Sequence, residues 1–259
     1  MNRSKELFKF DEIQKSQEVI VSFPLIGIPE IAINTNIGAL IVESMNQLGG
    51  IQDYDIFVIA SKIISKAEGA IIDLRSIIPS ATATQLSILT GGRKSPELCE
   101  VIIQESTEQQ FSGVIVAKHK LGFQITSAGV DRLDDNLVAI LPKDPDSSAR
   151  KIMDSIISAT GKSVAVVLSD SEGRPDREGA GAVSIGVAGI QPLRIFERQE
   201  KNGTTKQTVE TISDLLAASA ALQMGQRGKN TPIVCIRGFG FNFDPSALMS
   251  SILHTSHLP

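Results

Sequence analysis

A chain of 259 residues that is 42% hydrophobic and 21% charged has the balance of a soluble globular protein, with room for one large domain or two small ones. Its formal net charge of −4 gives no support for a nucleic-acid surface, so an anionic ligand would need a local basic pocket or a metal. Two cysteines, Cys99 and Cys235, make no disulfide framework and point to a reduced, cytoplasmic compartment.

Residues 1–17 read as a polar lead-in of mixed charge without the apolar centre of a signal peptide. No later run reaches the roughly 18 apolar residues of a membrane helix. EVIVSF, 18–23, predicts a strand, and Pro24–Ile31 then sets two prolines and a glycine among apolar residues, a rigid connector. Ile37, Leu40, Ile41 and Met45 predict a helix over 36–48, stopped by Gly49-Gly50. DIFVIA, 55–60, predicts a buried strand running into SKIISKAEG, 61–69. In a helical segment Lys62 and Lys66 share a face, as do Ser61 and Ser65. Two ammonium groups and hydroxyls just after a strand suit phosphate oxygens, and a solvated polar face has the same pattern. There is no GxxxxGK[ST] loop.

Residues 71–78 predict a strand or short turn, and 80–90 a helix ending at Gly91-Gly92. Ser95-Pro96-Glu97 predicts a capped helix start, with Leu98, Val101 and Ile102 as its apolar stripe. A hairpin over 113–127 delivers Asp131, with Asp134 and Asp135 close behind. A strand at 137–141 leads through Pro142–Asp146 to a helix over 148–160, capped by Ser147 or Ser148 and ending at Gly161. Residues 191–207 read as polar and irregular, Val209–Met224 as an alanine-rich helix, Ile233–Ile236 as a last strand and 245–253 as a short helix.

The most chemical stretch is VAVVLSDSEGRPDREGAGAVSIGVAGI, 164–190. Val164–Leu168 predicts a buried strand, and Ser169, Asp170 and Ser171 stand at its mouth. A carboxylate between two hydroxyls is a hard-oxygen cluster suited to Mg²⁺ or Mn²⁺. A strand-to-loop corner with solvated charges carries the same letters. Gly179, Gly181, Gly186 and Gly189 let the backbone approach a neighbour closely.

Six pieces occur in one order: SKIISKAEG (61–69), TSAGVD (126–131), LPKDPDSSAR (141–150), SDSEGRP (169–175), SIGVAGI (184–190) and ALQMGQ (221–226). As a set they resemble the coenzyme F420-0:γ-glutamyl ligase family, over roughly residues 20–240. The resemblance implies a mixed α/β (α+β) fold of the family's own, neither Rossmann nor P-loop, in an intertwined homodimer. One domain over 18–240 is expected, with any division into two lobes near 115 or 160 and tails at 1–17 and 241–259. The aliphatic arms of 113–127 are a second motive for the homodimer.

The resemblance also implies an amide ligase. GTP activates the terminal carboxylate of a lactyl-phospho deazaflavin, coenzyme F420-0, as an acyl phosphate. The amine of L-glutamate attacks it, GDP and phosphate are released, and later glutamates join through their γ-carboxylates. Two divalent ions, Mg²⁺ or Mn²⁺, assist. Carried over by position, Asp131 and Asp170 hold the first metal and are the residues expected to carry catalysis, while Ser171 and Gln226 stand at the second. Nucleotide contacts are implied for Ile28, Pro29, Glu30, Ile31, Ser61, Lys62, Lys66, Asp134, Met224, Gly225, Gln226, Arg227, Gly228, Lys229, Asn230 and Thr231.

Three departures stand out. Asp134 replaces a common Asn, Asp176 replaces a frequent aromatic residue, and RIFERQEKNGTTKQT, 194–208, is shorter than the acidic DYRGRxDxxG segment usual there. Arg194, Arg198, Lys201 and Lys206 give this segment a positive balance against Glu197 and Glu200, suited to a polyanionic acceptor or to a solvated loop. Two alternatives therefore stand beside F420-0 ligation: the same chemistry on another carboxylate such as a folate, and a nucleotide- or metal-binding relative without turnover. The retained Asp131, Asp170, Lys62 and Lys66 speak against the last.

Overall fold

The computed structural model describes residues 19–112, 114–174, 176–200, 203–226 and 230–254. With strands numbered in chain order, the framework is a six-stranded sheet made of β1 (Val21–Pro24), β2 (Ile56–Ala60), β9 (Ala165–Arg174), β10 (Arg177–Ile190), β13 (Ile233–Arg237) and β14 (Phe243–Asp244). Their order is β1-β13-β2-β9-β10-β14, with β2 and β9 parallel and the other neighbours antiparallel. Ile56–Ile59, Ala165–Asp170 and Ile233–Ile236 are buried at every position, so both sheet faces are covered. Helix α5 (Pro145–Thr160) packs on β9 and β10 and on α1 (Ile37–Asn46), while α6 (Ile212–Met224) packs on β9, β10, β13 and β1. The core is aliphatic, as expected without tryptophan.

Between β2 and β9 the chain inserts α2 (Ser61–Glu68), β3 (Ile71–Asp73), α3 (Ala81–Leu89), α4 (Pro96–Gln104), β4 (Ser106–Ser112), β5 (Val114–His119), β6 (Gln124–Thr126), β7 (Asp131–Arg132) and β8 (Leu137–Ala139). These strands form two small sheets, β3-β8-β7 and β4-β5-β6. A second hydrophobic cluster, running from Leu74 through Leu98, Ile102 and Ile115 to Val138, holds them against α3 and α4. The mixed α/β class is as expected.

Local chemistry explains where the structure departs from the pattern reading. Helix α5 begins at Pro145, not 148, because Asp144 caps it, its carboxylate accepting the Ser147 N–H at 2.9 Å. Ser148 instead donates to Glu68 at 2.6 Å. The polar run of β4, which carries no strand signal, pairs along β5. Most of 191–207 is regular: β11 (Leu193–Gln199) and β12 (Thr205–Thr211) pair antiparallel, so α6 starts at Ile212. Cross-strand pairs hold the hairpin, with Ile195 opposite Val209 and Arg194 bonded to Glu210 at 2.7 Å. Gly186 lies where any Cβ would fall 2.6 Å from the backbone of Pro145, which lets α5 close on β10. Among the described residues no helix is long and apolar enough to cross a membrane.

Candidate active site

The site forms where the parallel pair β2 and β9 ends. Their register runs to Ala60 opposite Ser169. The next residues, Ser61 at the start of α2 and Asp170 in β9, are therefore neighbours, and the Ser61 hydroxyl donates to Asp170 Oδ1 at 2.6 Å. Helix α2 is amphipathic: Ile63, Ile64 and Ala67 are buried with Ser61 and Ser65, which leaves Lys62 and Lys66 on the open side. Lys62 Nζ lies 3.2 Å from Asp131 Oδ2, and Lys66 pairs with Glu30.

Asp131 reaches this point through a strained turn. Ser127, Ala128 and Gly129 all lie in the left-handed region, at φ of 56°, 53° and 66°. Two of them are not glycine, so the turn stores local strain beside the site. Together these elements wall a cleft of about 590 Å³.

Asp170 is the unusual group. Burial, and then the negative charge of Asp131, push its carboxyl up to about 7, against the opposing pull of the Ser61 hydroxyl, the Ser171 N–H and Lys62. A buried carboxylate with no ion-paired partner among the described residues is held at a cost that a cation beside it would relieve.

Of the residues expected from sequence, Pro29, Glu30, Ile31, Ser61, Lys62, Lys66, Asp131, Asp134, Asp170, Ser171, Met224, Gly225, Gln226, Asn230 and Thr231 all line the cleft. Ile28 does not; it is buried in the main core. Arg227, Gly228 and Lys229 lie outside the described residues. Asp134 also holds the turn between β7 and β8, its Oδ1 accepting the N–H groups of Asn136 and Leu137, each at 2.8 Å. An Asn would make the same two bonds and turn a donor toward the cleft, where Asp134 has only acceptors.

Among the described residues no three His, Cys, Asp or Glu side chains gather as a metal-holding group. The expected donor set differs from that, being two carboxylates, the hydroxyl of Ser171 and the amide of Gln226. All are hard oxygen donors on one cleft, a set that fits Mg²⁺ or Mn²⁺.

Sequence reasoning missed Ala60, Ile63, Arg132, Leu133, Ala182, Ala221 and Pro232 as lining residues. Arg132 could have been found, since it follows Asp131 directly on the same short strand. Among the described residues, none of the positive segment 194–208 lines the cleft. Arg194 is bonded to Glu210 and lies over the rings of Phe196 and Phe239, at 4.8 and 5.7 Å. A second cavity of about 700 Å³, between one face of β4-β5-β6 and β10, contains none of the expected site residues.

The family profile described as F420-0:Gamma-glutamyl ligase matches residues 25–238, a span that includes every residue lining the cleft. The chain belongs to this family. A coenzyme F420:L-glutamate ligase of Methanothermobacter thermautotrophicus is 43% identical over 220 residues, covering 82% of this chain and 86% of that protein. One from Methanocaldococcus jannaschii is 42% identical over 200 residues, covering 74% and 79%. One from Archaeoglobus fulgidus is 33% identical over 221 residues, covering 83% and 86%. In this F420-0:γ-glutamyl ligase family member, the six sequence pieces that carried the resemblance all fall inside the matched span.

Proposed function

We propose that the protein joins L-glutamate to coenzyme F420-0, using GTP to activate the acceptor carboxylate as an acyl phosphate. The relatives' names support the ligation, and family membership supports its transfer to this chain. The observation that carries the reading is the meeting of Asp131, Asp170 and Lys62 in one cleft from three separate elements.

In this account the acceptor carboxylate attacks the γ-phosphate of GTP, and GDP leaves. The glutamate amine then attacks the acyl carbon, and phosphate leaves as the amide forms. Lys62 and Lys66 neutralise phosphate oxygens, and Asp131, Asp170, Ser171 and Gln226 would hold two divalent ions. When bound, the ions screen two anions that must approach each other. Lys62, 3.2 Å from Asp131 on the open side of α2, would carry its ammonium to the phosphate oxygens of a bound nucleotide. The family's intertwined homodimer is part of the proposal, supported by Ile195, Phe196 and Val209, which stand exposed on the isolated β11–β12 hairpin. A cytoplasmic setting, with small molecules as the substrates, completes it.

A second reading, the same chemistry on another carboxylate such as a folate, is motivated by sequence alone, because the 194–208 segment departs from the family pattern although its described residues do not line the cleft. Phosphate release from GTP with L-glutamate, screened across F420-0, folates and other carboxylates, tests both. Release that needs F420-0 and glutamate together supports the first. Release with folate but not F420-0 supports the second, and none with any acceptor contradicts both.

A further inference from the structure

Two arms carry the carboxylates of the cleft, and one side chain ties the arms together behind it. Asp131 ends the arm that leaves β6 through the turn at Ser127–Gly129, and Asp170 stands on β9. Thr126, the last residue of β6, comes five residues before Asp131, and Gly173 comes three residues after Asp170. Neither lines the cleft. The Thr126 hydroxyl accepts the Gly173 N–H at 2.7 Å and donates to the Gly173 carbonyl at 2.9 Å. One half-buried oxygen thus holds both polar groups of a single backbone residue. Strand β2 pairs with β9 only as far as Ser169, so this clasp grips a stretch of β9 that β2 no longer accompanies. A Cβ on Gly173 would fall 3.0 Å from Thr126 Oγ1, so glycine is what admits the hydroxyl this closely.

On the cleft side the two arms meet through α2, Ser61 to Asp170 and Lys62 to Asp131. The Lys62 contact joins two partly exposed side chains, a kind of pair that fixes position weakly. The turn between Thr126 and Asp131 has Ser127, Ala128 and Gly129 all in the left-handed region, and a strained turn keeps its shape only while its ends are fixed. Past Asp131 the chain is fixed by the pairing of β7 with β8. Before it, β6 pairs with β5 on one side, and the clasp ties it to β9 on the other. Mg²⁺ demands oxygens at about 2.1 Å in near-octahedral array, so a small shift of one carboxylate against the other lowers affinity.

We propose that Thr126 is a positioning residue. Its hydroxyl, clasped on the Gly173 backbone, sets the separation of Asp131 and Asp170 and so the affinity of that pair for a divalent ion. The proposal rests on the reading of the pair as a metal site; the clasp itself does not.

Titration of the full chain with Mn²⁺ at pH 7.5, with a non-hydrolysable GTP analogue present and free ion read by electron paramagnetic resonance, tests this. Thr126→Val removes the hydroxyl and keeps the branched shape, and is expected to weaken Mn²⁺ binding about tenfold. Thr126→Ser retains the hydroxyl and should stay within about threefold of wild type. With Asp131→Asn already in place, adding Thr126→Val should change affinity by less than about twofold, because no carboxylate is left on that arm to position. A role in stability alone would lower the melting temperature and leave the ion affinity of the folded protein unmoved. Should Thr126→Val not fold, Gly173→Ala crowds the same hydroxyl from the other side and is expected to weaken binding several-fold, with the same dependence on Asp131. Wild-type affinity in both Thr126→Val and Gly173→Ala, or an equal loss in the Asp131→Asn background, would overturn the clasp's role and leave the metal site standing. Wild type that binds no Mn²⁺ would sink the metal reading and the proposal with it.

Discussion

Strand β2 has a buried acid at each end, and the two are treated in opposite ways. At its start, Asp55 is fully buried and meets Arg237 through two bonds of 2.7 and 2.6 Å, with the Gln52 N–H adding a third at 2.8 Å. Past its end, Asp170 on the neighbouring strand is nearly as buried, yet receives the Ser61 hydroxyl and the Ser171 N–H and no cation. The first acid is matched inside the fold and serves stability. The second keeps an unmatched charge beside an open cleft, a condition that suits ligand chemistry and not stability.

Replacing Asp170 by Asn sharpens this contrast most. Ligation is expected to fall on the order of 10³-fold, since the proposed metal site loses one of its two carboxylate charges. The melting temperature at pH 8 should stay the same or rise, because the fold no longer has to bury that charge. A large drop in melting temperature with activity retained would reverse the roles assigned to the two ends.

Asp55→Asn should do the converse. It leaves Arg237 unpaired and is expected to cost about 3 kcal/mol or more in urea unfolding, with turnover per folded molecule near wild type. An unchanged unfolding midpoint would show that the matched pair contributes nothing.

The pH dependence follows from Asp170 and has a definite sign. Its folded-state pKa is raised, to about 7, so the folded protein binds a proton that the unfolded chain releases at lower pH. Without metal, stability should therefore decline as pH rises from the ordinary carboxyl range to about 7 and level off above it. Divalent-ion affinity should weaken below pH 7 by about tenfold per unit, since binding displaces that proton. Affinity that is flat between pH 5.5 and 7.5 would contradict this. The smallest effect belongs to an exposed acid: Asp144→Ala removes the cap of α5 and should cost about 1 kcal/mol, without touching turnover.

The same contrast shows what the sequence could and could not reveal. Strands β2, β9 and β13 were legible because they are buried on both faces and read as unbroken apolar runs. Helix α4 was legible through its Ser95 cap and Pro96. Strand β4 and the β11–β12 hairpin were not, because polar strands are held by pairing partners that local composition does not name. At the cleft, the hard-oxygen letters around Asp170 and the lysines of α2 stood out, and the family resemblance gathered the remaining residues. What stayed hidden was relational: Ser61 bonded to Asp170, Lys62 facing Asp131, and Thr126 from the insertion bonded to the backbone of Gly173. Each depends on the register of β2 and β9 or on the folded insertion, which no local pattern encodes.

Manganese titration followed by electron paramagnetic resonance, on wild type, Asp131→Asn, Asp170→Asn and Asp55→Asn at pH 7.5 with nucleotide present, tests the central claim most directly. Wild type and Asp55→Asn should bind the ion alike, while Asp131→Asn and Asp170→Asn each lose at least about tenfold in affinity. Equal binding by all four proteins would contradict a metal site built from Asp131 and Asp170.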